Sequence, residues 1–405
     1  MDFISDEILS KYANILVNFA LNSGQGIRPH EVVLLNVPSS AYLILPHLQK
    51  TVLQANANYL INFTPDFTQP QYQTDLNFFQ LANDQQINFF PDKYYRGLLD
   101  QVDHILSILA DAAPHRLEQI DPAKIMARQQ AFKPYMEWRQ AKEYQGKFTW
   151  TLALFGTPAM AQEANLSLAD YWQQIILGCL LDQENPIQSW KNTQNQIDSI
   201  RSNLDSMKIA SLHVKSLDTD LNISLGSNRQ WLGGGGRNIP SFEIFTSPDW
   251  RGTQGHISFN QPLYMHGQKI TNIKLKFEQG RVVQFDADQG KDLLEQMIKT
   301  PNADKIGEFS LTDSRFSRIT KFMAHTLFDE NIGGEQGNTH IALGQAYKDT
   351  CSLPYDQVPS NGWDEMGFND SAVHTDIIST NQRTITATLA DKQERVIYVD
   401  GKFII

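Results

Sequence analysis

Basic clusters, paired cysteines and long apolar runs are all missing from this 405-residue sequence, and each absence removes a class of function. Lys and Arg number 34 against 45 Asp and Glu, a net charge of −11. With no basic run anywhere, no nucleic-acid partner is expected, because a phosphate backbone is held by clustered cations. No uncharged apolar stretch approaches the roughly 20 residues that span a bilayer, so no membrane partner is expected either. The two cysteines, Cys179 and Cys351, lie far apart and form no CxxC pair. That argues against a disulfide framework or a Cys-rich zinc site and fits a reducing compartment. The N-terminal "MDFISDEILSKYANILVNFAL" lacks the basic, apolar, small-residue order of a signal peptide. A soluble, cytoplasmic protein is the expectation. The first half also lacks the phosphate loop GxxxxGK[ST], and no GxGxxG follows any of its strand-like runs.

What is present is ordinary globular composition, 41% apolar and 20% charged, in a chain long enough for two domains. Ile8, Leu9, Tyr12, Leu16 and Phe19 recur at helical spacing. "VVLLNV" (32–37) reads as a buried strand, "YLINF" (59–63) is strand-like, and "HILSILA" (104–110) and "TLALFG" (151–156) are further buried-strand candidates. Helical stretches separate them: "SSAYLILPHLQKTVLQANA", kinked or started at Pro46, a segment opened by Asp121 and Pro122, and one capped by Ser167 and Asp170. Alternating strand and helix predicts an α/β N-terminal domain with a doubly wound, mainly parallel sheet over residues 1–210. Beyond residue 211 the pattern turns to polar–apolar alternation, in "TDLNISLG", in the hairpin "NIKLKFEQGRVVQFDAD" and in the closing hairpin "RVIYVDGKFII". Residues 211–405 are therefore predicted to form an α+β domain with mainly antiparallel strands.

The second half also carries the candidate chemistry. "TLFDENIGGEQGNTHIALGQAY" (326–347) concentrates Asp329, Glu330, Glu335, His340 and Tyr347 among four glycines. His and carboxylates that converge can hold a metal, although a glycine-rich turn with a solvated acidic edge would also explain the acids. Glu243 in "NIPSFEIFTSPD" and Glu308 in "ADKIGEFSL" each stand in strand-like stretches and face either solvent or a site. His374 and Asp376, two apart in "NDSAVHTDIIST", share one face of a strand and can reach one ion or two neighbouring ions. "WLGGGGRNIP" (231–240) has neither the lysine nor the Ser/Thr of a phosphate loop and reads as a flexible loop beside Glu243.

In their order, "NIPSFEIFTSP", "KIGEFSL", "TLFDENIGGEQGNTHIALGQAY" and "HTDII" resemble the thermophilic metallo-aminopeptidase family, the group of leucyl aminopeptidase T, aminopeptidase S and PepS. The motifs span about residues 231 to 380. The N-terminal half is similar more loosely, through "VVLLNVPSSA" and its α/β rhythm. The resemblance implies a two-metal site with Glu243, Glu308, His340, Tyr347, His374 and Asp376 as ligands. Glu330 in "DEN" matches a further family acid, and the intervening "IGGEQGNT" offers Glu335 as a rival. It implies release of N-terminal amino acids from peptides with a free N-terminus, by a water activated between two divalent ions, with zinc, cobalt or manganese all compatible. Glu308, or next Glu330, would carry the proton, and Tyr347 would support the oxyanion or join the metal shell. A homodimer is also implied.

Two other readings suit parts of the same pattern. A two-metal phosphoesterase would use the same ligands, but Lys348 is the one cation beside the acid-rich motif. A non-enzymatic α/β binding protein with a structural metal would be favoured by a missing ligand, yet all six matched positions are filled.

Overall fold

The computed structural model describes residues 4–265 and 268–405. The chain forms two compact units, each assembled from separated segments. The first comprises Met1–Gln194, Gly234–Ser241 and Lys321–Phe328, and the second Asn195–Gly233, Phe242–Thr320 and Asp329–Ile405.

The first unit is α/β. Its sheet runs in the order Asn58–Thr64, Val32–Pro38, His104–Leu109, Thr149–Leu154, Asn238–Ile239, every pairing parallel. Four of these strands fall on the apolar runs, and helices connect them as a parallel sheet requires. Ser5 caps Asp6–Ile15 by accepting from the Ile8 amide at 3.3 Å. Leu9, Tyr12, Leu16 and Phe19 of that amphipathic stretch are buried. The segment after the first strand is a 3₁₀ turn, Ser39–Ile44, that becomes α-helical over Leu45–Gln54, with Pro46 in the first turn where its missing N–H costs nothing. Asp121 caps the long helix Pro122–Tyr144 through the Ala123 amide at 2.9 Å. Ser167 accepts from the Asp170 amide at 3.1 Å to start Leu168–Gly178.

The second unit contains two larger antiparallel sheets. The eight-stranded one runs Arg281–Asp286, Lys274–Glu278, Gln254–Ser258, Asp220–Ser224, Ile209–Lys215, Thr384–Leu389, Glu394–Val399, Lys402–Phe403. Both expected hairpins belong to it, and the last turns at Asp400 and Gly401, with φ of 46° and 78°. The five-stranded sheet runs His374–Ser379, Asn338–Gly344, Ile306–Thr312, Glu243–Thr246, Leu232–Gly233. One apolar core draws on both sheets, with Val214, Ile223 and Phe277 from the larger and Ile244, Leu311 and Ile341 from the smaller. The fold is thus a parallel α/β unit and a separate, mainly antiparallel α+β unit.

Candidate metal centre

Strands of the five-stranded sheet are buried on both faces, so their alternation separates two interiors rather than core from solvent. Ile244, Phe309, Leu311, Ile341, Leu343 and Ile377 join the apolar core. The intervening residues face the other way. Register then gathers the polar ones: Glu243 stands opposite Thr312, Ser310 opposite His340, and Asp376 opposite Ala342, itself opposite Glu308. Glu243, Glu308 and His340 are 8%, 3% and 1% exposed, which removes the solvent-facing reading of both glutamates.

Two glycines allow this approach. A side chain on Gly233 would strike the carbonyl of Glu243, and one on Gly344, with φ of 105°, would strike the carbonyl of Val373 beside His374. The run of four glycines is therefore not a uniform loop: Gly233 is a strand residue, while Gly234, Gly235 and Gly236 take positive φ.

The side chains meet in two groups that share one member. His340 Nε2 lies 3.3 Å from Glu243 Oε2 and 3.3 Å from Glu308 Oε1. His374 Nε2 lies 3.7 Å from Glu308 Oε2 and 3.4 Å from Asp376 Oδ1. In each trio, Glu243–Glu308–His340 and Glu308–His374–Asp376, one ligand atom per residue falls within 4.8 Å of the others. The two oxygens of Glu308 thus point to different groups. His374 donates from Nδ1 to the Gln345 carbonyl at 2.8 Å, leaving Nε2 toward the acids, the usual support of a metal-binding imidazole. Ser310 donates to Glu243 Oε2 at 3.3 Å.

Charge is crowded here. Burial, with the negative neighbours Glu243 and Asp376, pushes Glu308 up to about 7 against the lowering hydrogen bond from His340. Burial and the fields of Glu243 and Asp376 drive Glu330 well above the usual carboxylate range. For His340, burial opposes the charged ring, but hydrogen bonds with Glu243 and Glu308 raise it well above an ordinary histidine. His374 reaches about 9, burial being outweighed by Asp376. Asp376 is lowered: burial acts against this, and the charge and hydrogen bond of His374 prevail. Burial and mutual repulsion leave this acid cluster short of positive charge. A divalent cation supplies that charge with oxygen and nitrogen ligands of the right kind. The buried Asp376 Oδ1, which the His374 ring approaches only at 3.4 Å, fits the same demand.

Glu330 is 5% exposed and electrostatically coupled to Glu243, Asp376, His340 and Glu308, yet belongs to neither trio. Its backbone carbonyl accepts from Thr312 Oγ1 at 3.1 Å. Glu335 lies exposed on the following turn, outside both trios. The Tyr347 ring packs edge-on against His374, centroids 4.9 Å apart, and its amide donates to Ser247 Oγ at 2.8 Å. The sequence reading did not single out Ser310, the Gln345 carbonyl or Ser247. Ser310 had a signal, since it lies two residues after Glu308 and shares its face. The other two contacts depend on pairings remote in sequence.

The buried carboxylates and imidazoles on one sheet are of the kind that could hold a metal ion, and residues 5–403 match the family described as thermophilic metalloproteases (M29). The chain belongs to that family and is a hydrolase of the metallopeptidase class. It is 25% identical to aminopeptidase PepS of Streptococcus thermophilus over 420 residues, covering 98% of each chain. It is also 25% identical to aminopeptidase AmpS of Bacillus subtilis over 427 residues, covering both chains fully (100% of each). Its fold is that of wild-type AmpT from Thermus thermophilus, with a TM-score of 0.79 at 23% identity over 98% of this chain and 99% of that one. No described helix is long and apolar enough to cross a membrane.

Proposed function

We propose that this protein is an aminopeptidase that releases N-terminal residues from peptides with the help of two divalent ions. The observation that carries the number of ions is Glu308, whose two oxygens point to different ligand groups. Glu243 and His340 would hold one ion and His374 and Asp376 the other, with Glu308 between them. When bound, such ions polarise the scissile carbonyl and make a water acidic enough to attack near neutral pH. The donor set, rich in oxygen with two imidazoles, accommodates zinc, cobalt or manganese.

The chain's own residues do the rest. Because Glu308 is committed to ligation, Glu330 takes the proton-transfer role: it removes a proton from the attacking water and returns it to the leaving amine. Its burial and acidic neighbours raise its proton affinity, as that exchange needs. Tyr347, held against His374, donates to the oxyanion that forms at the carbonyl. A peptide's free α-amine would occupy the same acid-rich pocket, which restricts cleavage to the N-terminus. Residues 211–405 form the catalytic domain in this reading, acting in the cytoplasm within a homodimer.

The test is hydrolysis of aminoacyl-arylamides and free dipeptides by metal-stripped protein before and after adding zinc, cobalt or manganese. Restored cleavage, with N-acetylated substrates untouched and two ions bound per chain, is the expected result. Folded, metal-loaded protein that stays silent would overturn it, as would cleavage of acetylated substrates.

A further inference from the structure

The parallel sheet of the first unit carries a cavity of about 530 Å³, a size typical of small-molecule sites. Its floor consists of two registered rows. The first row is apolar, with Leu60, Leu34, Ile105 and Trp150 side by side on four neighbouring strands. Two residues further along the strands, Asn62, Asn36 and Ser107 form a polar row. Asn62 Nδ2 donates to Asn36 Oδ1 and Asn36 Nδ2 donates to Ser107 Oγ, both at 3.0 Å. The Ser107 oxygen is thereby used as an acceptor, and its hydroxyl proton is left to donate. This row crosses the point where the first strand in the chain has the second on one side and the third on the other. Ligands of open α/β sheets gather at such a reversal.

The helices Asp92–Gln101 and Pro122–Tyr144 supply the walls, with Tyr95 and Tyr135 in contact at a centroid distance of 4.7 Å. The same wall holds Arg139, the one charged residue lining the cavity. Its Nε is buried and makes no hydrogen bond, and Nη1 reaches a thioether, Met136 Sδ, at 3.8 Å. The acid one turn along, Glu143, is already taken: Arg237 lies 2.8 Å from Oε1, and Trp150 Nε1 donates to Oε2 at 3.2 Å. Among the described residues no carboxylate pairs with this partly exposed guanidinium, which lies 5.7 Å from the ring centroids of Tyr135 and Phe148, so its charge is left to be met by an anion. A carboxylate meets that need best, because it can accept two parallel bonds from the guanidinium.

We propose that this cavity is a second ligand site, separate from the metal centre, that takes an aromatic monocarboxylate. The carboxylate sits on Arg139, the ring lies against Tyr95, Tyr135 and Trp150, and Ser107 donates to a polar substituent. With no acid in the lining, the site selects against a ligand that also carries an ammonium group, and so against free amino acids. The inference does not depend on how the metal centre works.

Calorimetric titration of the full chain with 4-hydroxyphenylacetate and indole-3-acetate tests it, with 4-hydroxyphenylacetamide and tyramine as the uncharged and cationic counterparts. One acid should bind per chain, with the amide and amine roughly tenfold weaker or more. Arg139→Gln should weaken the acids by a similar factor while leaving the amide unchanged, and metal-stripped and metal-loaded protein should bind alike. Equal affinity for acid and amide would overturn the proposal, as would no heat at millimolar ligand. Metal-dependent binding would place the acid at the other site. A change in sedimentation of Arg139→Gln with unaltered ligand affinity would mean that a second copy covers this face. The acid–amide comparison uses unmodified protein, so it stands even if the variant misfolds.

Discussion

Asn58–Thr64 and Ile306–Thr312 are strands of equal length with similar apolar content, yet they live in opposite surroundings. Every residue of the second is buried, while six of the seven in the first are exposed. The first is the edge of the parallel sheet and shows Leu60, Ile61 and Phe63 to solvent at 38%, 43% and 49% exposure. The second is the centre of its sheet, flanked on both sides. Hydrophobic content alone does not say which strand is interior. The better guide to function is the charge that an interior strand tolerates: Glu308 in a fully buried strand demands compensation, which a bound cation would supply.

The contrast can be broken most severely at Glu308. Glu308→Ala should reduce kcat/KM by more than about a hundredfold, because removing a shared ligand exceeds the cost of losing an outer-shell support. Metal analysis should show depletion of both ions rather than one; retention of one full equivalent would argue against the shared role. On the opposite face of the same strand, Phe309→Ala should cost about 3–5 kcal/mol in denaturant unfolding. Phe63→Ala on the edge strand should stay within about 0.5 kcal/mol. Comparable losses at the two phenylalanines would erase the distinction. Ser310→Ala should keep the fold while lowering metal affinity or activity about tenfold through the freed Glu243 carboxylate. A competition titration with a chelator reads this directly.

The smallest effect at neutral pH belongs to Cys179, fully buried in the first unit, where burial pushes the thiol up to about 12 from an ordinary 9, against a hydrogen bond with Tyr12 that lowers it. The folded state therefore holds this proton more tightly than the unfolded state. The associated stability is fully present below pH 9 and is lost as pH rises from 9 towards 12. Native protein at pH 8 should resist thiol reagents at this position, and Cys179→Ala should soften the alkaline decline of the unfolding midpoint. Rapid labelling in the folded state would contradict the burial.

Much of this arrangement is legible in the amino-acid sequence. Four strands of the parallel sheet announce themselves as apolar runs between helical segments; three are largely buried, as parallel strands usually are, while Asn58–Thr64 carries the same kind of run on an exposed edge. Both hairpins are marked by their turns. At the centre, the residue types and their order point to ligands, but for Glu243 taken alone the alternation favours the solvent-exposed face, and Glu308 taken alone is as weak a signal. That choice depended on what covers the far face of the sheet, which no local pattern encodes. The supports were harder still. The Gln345 carbonyl serves His374 from 29 positions away, and Ser247 meets the Tyr347 amide across 100. Between Glu330 and Glu335, burial separated two acids that the sequence presents as equals.

Gly233 has a consequence for anyone re-engineering this protein. Its missing side chain leaves space for the carbonyl of Glu243, so the strand bearing that acid lies where a single added methyl group would stand. Two positions on, Gly235 has nothing within 4 Å of where a Cβ would be, although its φ of 75° still favours glycine. Neighbouring letters of one glycine run thus answer to different constraints, clearance at one and backbone shape at the other. A saturation library across the run should show it: Gly235 admits asparagine, which tolerates that backbone, while Gly233 admits nothing.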